Sequence, residues 1–182
     1  MKHRDHRRRV SLPFPWPAPP VRVVLVHPEI PPNTGAIARL CAATGTPLDL
    51  VEPLGFRLTD RALRRAGLDY WPHVEIHRYR SWAEWKEHHP VPVHLFSTAG
   101  TRSVFEPSYA PGDALVFGSE TSGLPDSILS EWPDRVRVIP LQPDRVRSLN
   151  LATAVAIALY EALRQCAEQV GGGPIATPDV PQ

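Results

Sequence analysis

What limits this chain most is an alternation held between two proline-rich ends. Short apolar, largely β-branched runs recur at Val21 to Val26, Leu48 to Val51, Val93 to Ser97, Ala114 to Phe117 and Val136 to Ile139. Runs of this length, bounded by turn residues, suit strands buried on both faces, which is the habit of parallel sheets. The stretches between them carry helical spacing. Asn33 is placed to cap a helix bearing Ile37, Leu40 and Cys41. Thr59 or Asp60 opens a short helix through Arg65 that Gly67 stops, and Val74 to His77 reads as a further strand. Ser81-Trp82-Ala83-Glu84 has the capping-box pattern and opens a helix to about His88. From about Leu149 to Val170 a long amphipathic helix keeps Leu151, Val155, Leu159 and Leu163 in register. The expectation is an α/β fold with a mostly parallel sheet flanked by helices.

The ends read differently. Pro13, Pro15, Pro17, Pro19 and Pro20 forbid helix and ladder alike and favour extended chain, so residues 1–20 are expected to form a disordered basic tail. Residues 171–182, starting Gly171-Gly172-Gly173-Pro174, are expected to be a second tail, leaving 21–170 as one domain.

Composition removes several classes of function. No apolar run approaches the roughly 18–20 residues of a membrane span, and no signal-peptide core follows the basic start. Cys41 and Cys166 have no metal-type spacing and suit a reducing, cytoplasmic setting. The net charge of +1 does not by itself attract nucleic acid. Arginines do cluster, at Arg4 to Arg9, at Arg57, Arg61, Arg64 and Arg65, and at Arg135, Arg137, Arg145 and Arg147; each cluster reads as a solvated face or as an RNA-facing patch. The dinucleotide fingerprint G-x-G-x-x-G is absent. Gly118 and Gly123 have P-loop spacing, but Leu124-Pro125 replaces the required lysine and hydroxyl residue. There is no G-x-S-x-G elbow, and the histidines lack a metal-ligand pattern, so no metal is expected.

Three polar segments sit where strands end, the place where open α/β sheets bind ligands. The first runs from His27 to Arg39 and contains Pro28-Glu29-Ile30-Pro31-Pro32-Asn33-Thr34-Gly35. It reads as a capped helix with a surface arginine, or as a helix N-terminus offering N–H groups to phosphate. The second, Gly118-Ser119-Glu120-Thr121-Ser122-Gly123, is a tight turn with an acid, or a backbone cradle whose carboxylate orders a loop or a substrate hydroxyl. The third passes from Ile139-Pro140-Leu141 to Ser148-Leu149-Asn150; Ser148 or Asn150 can cap the last helix, and the same groups can hold a ligand carboxylate or ribose.

Together, in this order and spacing, the segments resemble the three motifs of the SPOUT methyltransferases, SpoU branch, over about 21–168. With Glu52-Pro53-Leu54-Gly55-Phe56 and the string Leu63-Arg64-Arg65-Ala66-Gly67-Leu68-Asp69-Tyr70, the chain is similar to the TrmL (YibK) family of tRNA wobble-nucleotide 2′-O-methyltransferases. The resemblance implies a C-terminal deep trefoil knot, which topology alone would make very improbable. It also implies S-adenosyl-L-methionine as cofactor, a homodimer with active sites built from both subunits, and the anticodon stem-loop of tRNA as partner. Carried over motif by motif, Thr98, Gly118, Ile139, Ser148 and Leu149 would hold the cofactor, and Arg39, Asn33, Glu120 and Asn150 would form the catalytic centre. Departures from the family pattern are His27 where members have Glu, one extra residue in the segment Gln142 to Arg147, Ala152-Thr153 in place of a more polar pair, and the string Ser97-Thr98-Ala99-Gly100.

Methyl transfer to a ribose oxygen needs alignment, which can supply about 7–11 kcal/mol, and a destination for the hydroxyl proton. A normally protonated arginine is a poor base. The expectation is that Arg39 clamps a phosphate beside the target ribose and that this phosphate or Glu120 accepts the proton. Competing readings are 2′-O-methylation elsewhere in tRNA or in ribosomal RNA, and a non-catalytic knotted RNA-binding module.

Overall fold

The structure, a computed structural model, describes residues 14–57 and 73–171. The helix expected after Thr59 and the string Leu63 to Tyr70 lie outside the described residues, as do Arg4 to Arg9.

Apolar strands with no polar face must be covered on both sides, and the described chain does so. Seven parallel strands form one sheet in the order β3-β2-β1-β6-β4-β7-β5. They are β1 (Arg22–Val26), β2 (Leu48–Val51), β3 (Ile76–Tyr79), β4 (Val93–Phe96), β5 (Arg102–Ser103), β6 (Ala114–Phe117) and β7 (Val136–Val138). The helices are α1 (Pro31–Thr44), α2 (Trp82–His88), α3 (Asp126–Glu131) and α4 (Leu151–Gly171). Every residue of β2, β4 and β6 is buried. On one face Val23, Leu25, Leu48, Leu50, Leu115 and Phe117 pack with Ile37, Ala38 and Cys41 of α1 and with Val155, Leu159 and Leu163 of α4. On the other, Val24, Val26, Val51, Leu95 and Val116 pack with Trp85 of α2, Leu124 and Ile128. The expected α/β layering with a mostly parallel sheet is thus the observed one.

Three local readings need correcting. Helix α1 begins at Pro31, not at Asn33, and no side chain caps it. Pro31 and Pro32 have the φ of a first turn and no N–H to satisfy, so two of the usual orphan donors never arise. The amides of Asn33 and Thr34 bond back to the Ile30 carbonyl, at 3.0 and 3.3 Å, which leaves the Asn33 side chain for other work. Strand β3 is displaced by two residues from the expected Val74 to His77, because its register on β2 pairs Ile76 with Leu48. Residues 14–20 form no helix or strand, as their prolines dictate, but they lie against the body: Phe14 packs on the core, Pro17 is buried, and Trp16 contacts Phe14 at 4.5 Å between ring centroids.

Toward the amino-terminal end of the sheet lies a buried ionic cluster. Asp49 of β2 is fully buried. Its carboxylate accepts from Arg22 Nη1 (2.8 and 3.0 Å) and from the Trp85 indole N–H (2.7 Å), with His77 Nδ1 at 3.2 Å. His89 stands 3.8 Å from the same carboxylate and 2.6 Å from the Tyr79 hydroxyl. Burial, aided by Asp49, pushes the Cys41 thiol up to about 12, so it behaves as a packing group.

Candidate active site

Parallel strands deliver their following loops to one end, and a cleft of about 480 Å³ opens there. It lies beyond β4, β6 and β7, with the start of α4 and the loop before α1 closing it. Its floor is apolar: Phe96 and Phe117, paired across β4 and β6, stack with centroids 4.6 Å apart and planes 9° apart. Ile139, Leu141, Leu149 and Leu151 continue that lining, and Ser97, Thr98, Ser119 and Ser148 add hydroxyl groups.

The segment after β6 doubles back on itself. Ser119 and Gly123 exchange two backbone hydrogen bonds, at 3.2 and 3.0 Å, and Gly123 takes φ +71°, where a side chain is strained. A Cβ on Gly118 would fall 1.9 Å from the Gly123 carbonyl carbon. Glycine at 118 is therefore required first by the return of the chain and only through it by any ligand, a reason the sequence did not reveal.

This turn carries Glu120 to the loop before α1. Glu120 Oε2 accepts from the Glu29 amide (2.8 Å); Oε1 accepts from the Ile30 amide (3.2 Å) and from Asn33 Nδ2 (2.9 Å). Asn33 Oδ1 in turn accepts from Asn150 Nδ2 at 2.9 Å. Asn150 Oδ1 caps α4, accepting from the amides of Ala152 (2.9 Å) and Thr153 (3.4 Å). A carboxylate at the start of α1 also complements the positive end of the helix dipole. A parallel tie runs from the Thr121 hydroxyl to Glu29 Oε2, 2.6 Å. One polar chain thus joins the three sequence segments.

Of the residues expected at the site, Asn33, Thr98, Gly118, Glu120, Ile139, Ser148, Leu149 and Asn150 all line the cleft. Arg39 does not: it is exposed on α1, six residues or about 9 Å of helix rise beyond Asn33. The sequence reading missed the Phe96–Phe117 floor, Ser97, and the Glu29–Thr121 tie. The two phenylalanines were visible as strand-final aromatics, but only register brings them together. Arg137, also in the lining, was noted only as part of a basic cluster. It is buried, with Nη1 donating to the carbonyls of Asp134 (2.7 Å) and Val136 (3.3 Å), and burial lowers its pKa.

A parallel sheet ending on an apolar-floored cleft with a few convergent polar groups defines an α/β protein that takes a nucleotide-sized ligand. The SpoU rRNA Methylase family model matches residues 20–160, and the chain belongs to that family. It is 46% identical, over 153 residues, to the tRNA (cytidine(34)-2'-O)-methyltransferase of Burkholderia ambifaria, covering 82% of this chain and 97% of that one. A solved structure described as giving insight into the 2-OH methylation of C/U34 on tRNA superposes with TM-score 0.76 at 48% identity, covering 80% of this chain and 95% of the other. The SpoU methyltransferase AviRb of Streptomyces viridochromogenes, solved with AdoMet, superposes with TM-score 0.70 at 27% identity, covering 79% of this chain and 59% of that one. Among the described residues no helix is long and apolar enough to cross a membrane.

Proposed function

We propose that this chain transfers a methyl group from S-adenosylmethionine to the ribose 2′-hydroxyl of the wobble cytidine or uridine of tRNA, nucleotide 34, acting as a cytoplasmic homodimer on the anticodon stem-loop. The observation that carries the reading is the hydrogen-bonded series Glu120, Asn33, Asn150 at the mouth of a nucleotide-sized cleft.

The residues present fit the cofactor. Phe96, Phe117, Ile139 and Leu149 offer apolar surface to a base, while Thr98, Ser148 and the backbone at Gly118 offer polar groups to a ribose and an amino-acid end. When bound, the cofactor supplies an electrophilic methyl group on a positively charged sulfur. The protein's part is to align the ribose oxygen with it and to exclude water. Three donors hold the Glu120 carboxylate against the loop before α1 and the first turn of that helix, which suits it to orient the loop rather than to collect the proton. Arg39 grips the phosphate beside the target ribose, and that phosphate receives the hydroxyl proton. Because Arg39 stands outside the cleft of its own chain, the site is completed by a second copy of the protein. The deep trefoil knot at the carboxyl end of the sheet belongs to the same reading.

The test is to incubate the protein with total tRNA lacking this modification and labelled S-adenosylmethionine, then map the label. Label on the ribose of nucleotide 34 is expected. Label at another tRNA or ribosomal position would transfer the reading to that substrate, and no transfer with intact RNA binding would leave a binding module.

A further inference from the structure

Beyond the cleft, the surface of the described residues presents an exposed aromatic side chain, Phe105, on a turn after β5. Phe105 is 58% exposed. Single exposed apolar residues are ordinary and signify little alone. This one sits on a turn that is unusually well fixed. The Val104 amide bonds the Val138 carbonyl (2.9 Å), and the Phe105 amide bonds Ser103 Oγ (3.3 Å). The Glu106 amide bonds the Ser103 carbonyl (3.2 Å), while the Glu106 carboxylate accepts from the Ser103 amide (2.7 Å). Val104 is fully buried in the core directly beneath. The backbone that carries the ring is thus tied by four hydrogen bonds, so little backbone entropy remains to be lost when the ring meets a partner.

Its position is equally specific. Strand β5 pairs Ser103 with Val138 of β7, so Phe105 emerges level with the residues just past Val138. Those residues, Ile139 and Leu141, line the cleft. The chain then continues through the exposed segment 142–148, which carries Arg145, Val146 and Arg147, and Arg102 of β5 is also exposed. An exposed aromatic ring level with a segment that lines the cleft and then carries exposed arginines matches the chemistry of an unpaired base with its phosphates: a ring can stack on the base and cations can meet the backbone.

We infer that Phe105 is a stacking platform for an unpaired base next to the target nucleotide of the RNA. The inference rests on the RNA methyltransferase reading and adds to it the residue that seats the loop. A base pinned against this turn would fix where along the strand the target ribose stands, so Phe105 is an RNA-contacting residue that sets position, and it takes no part in the chemistry.

The experiment uses the full chain and a tRNA anticodon stem-loop. Phe105→Ala should weaken stem-loop binding by roughly 5- to 150-fold, the range for one lost base–aromatic stack. Affinity for S-adenosylmethionine and the slope of RNA affinity against salt should not change, because no phosphate contact is lost. Phe105→Trp should restore binding. Stem-loops made abasic one position at a time identify the stacked base: at one site the wild-type protein loses the same factor, and Phe105→Ala loses nothing further. Wild-type affinity in Phe105→Ala, or additive losses at every abasic position, would overturn the inference while leaving the methyltransferase reading intact. A change in sedimentation of Phe105→Ala would also overturn it, by assigning the ring to a subunit contact. Failure of the wild-type protein to bind the stem-loop would sink the RNA reading and the platform with it.

Discussion

Asp49, toward the amino-terminal end of the sheet, and Glu120, beyond its carboxyl-terminal end, each accept hydrogen bonds from three residues, but from donors of different kinds. Asp49 is fully buried and meets a guanidinium, an indole and an imidazole, all side chains of neighbouring strands and of α2. Glu120 is only partly buried and meets two backbone amides of the loop before α1 and an asparagine in the first turn of that helix, 87 to 91 positions away. Removing water from a charge and pairing it with another charge stiffens a core without adding much net stability, and it punishes the loss of either partner. Fixing a loop by its amides costs less desolvation and places whatever that loop carries. The first arrangement holds the sheet together; the second assembles a site.

The comparison can be broken at either end. The largest effect is expected at Asp49→Ala, which strands Arg22 and the Trp85 indole N–H: about 3–5 kcal/mol of stability, or roughly 6–20 °C in melting temperature. Calorimetry reads it, and cofactor affinity of the protein that still folds should stay near wild type. A mild Asp49→Ala would mean that the cluster is solvated in solution. Next comes Arg39→Ala. Methyl transfer should fall by about 2.7–4 kcal/mol of transition-state stabilisation, a hundred- to thousand-fold, with cofactor affinity and melting temperature unchanged. Arg39→Lys should recover little, since an ammonium cannot match the planar fork. Wild-type turnover on tRNA in Arg39→Ala would remove this residue from the reaction.

Glu120→Gln sharpens the contrast. An amide nitrogen facing the Glu29 or Ile30 amide sets donor against donor, so turnover should drop by about 1.5–3 kcal/mol, the worth of hydrogen bonds to a charged group. The loss should be the same across the pH range, and the melting temperature should fall less than for Asp49→Ala. Recovery of rate at high pH would instead make the carboxylate a proton acceptor. The smallest effect belongs to His89. Burial, then the Arg22 guanidinium, holds its pKa below the ordinary imidazole range. The folded chain therefore favours the neutral ring, a stabilisation present above the unfolded value near 6.5 and lost as pH falls through the folded one. Thermal unfolding from pH 8 to pH 5 should show that decline, and His89→Gln should flatten it.

Much of this was legible in the chain because burial on both faces leaves strands with no polar alternation to confuse. Leu48 to Val51 and Ala114 to Phe117 were bounded to the residue for that reason. The edges were not: Arg102–Ser103 is a two-residue strand of polar side chains with no hydrophobic period, and β3 took its register from β2. The site segments were legible as residue sets, since each is continuous and sits at a strand end. Their connections were not, because no local rule says that Glu120 will reach the amides of Glu29 and Ile30. Asn33 was misread as a cap because its type suits the role, while Pro31 and Pro32 had already made a cap unnecessary. Asp49 hid inside an apolar run, and nothing in that run announces the arginine and tryptophan that meet it.

The bond from Asn150 to Asn33 spans 117 positions of chain. A site closed by so distant a pair cannot exist in partial form: while the polypeptide is being made, the loop before α1 is finished early, yet the side chain that secures Asn33 arrives only with the start of α4. Contacts of such separation form late, after the loop-closure entropy has been met. Under the proposed function, activity is then tied to completion of the fold, and an unfinished chain carries most of the sheet but not this polar network.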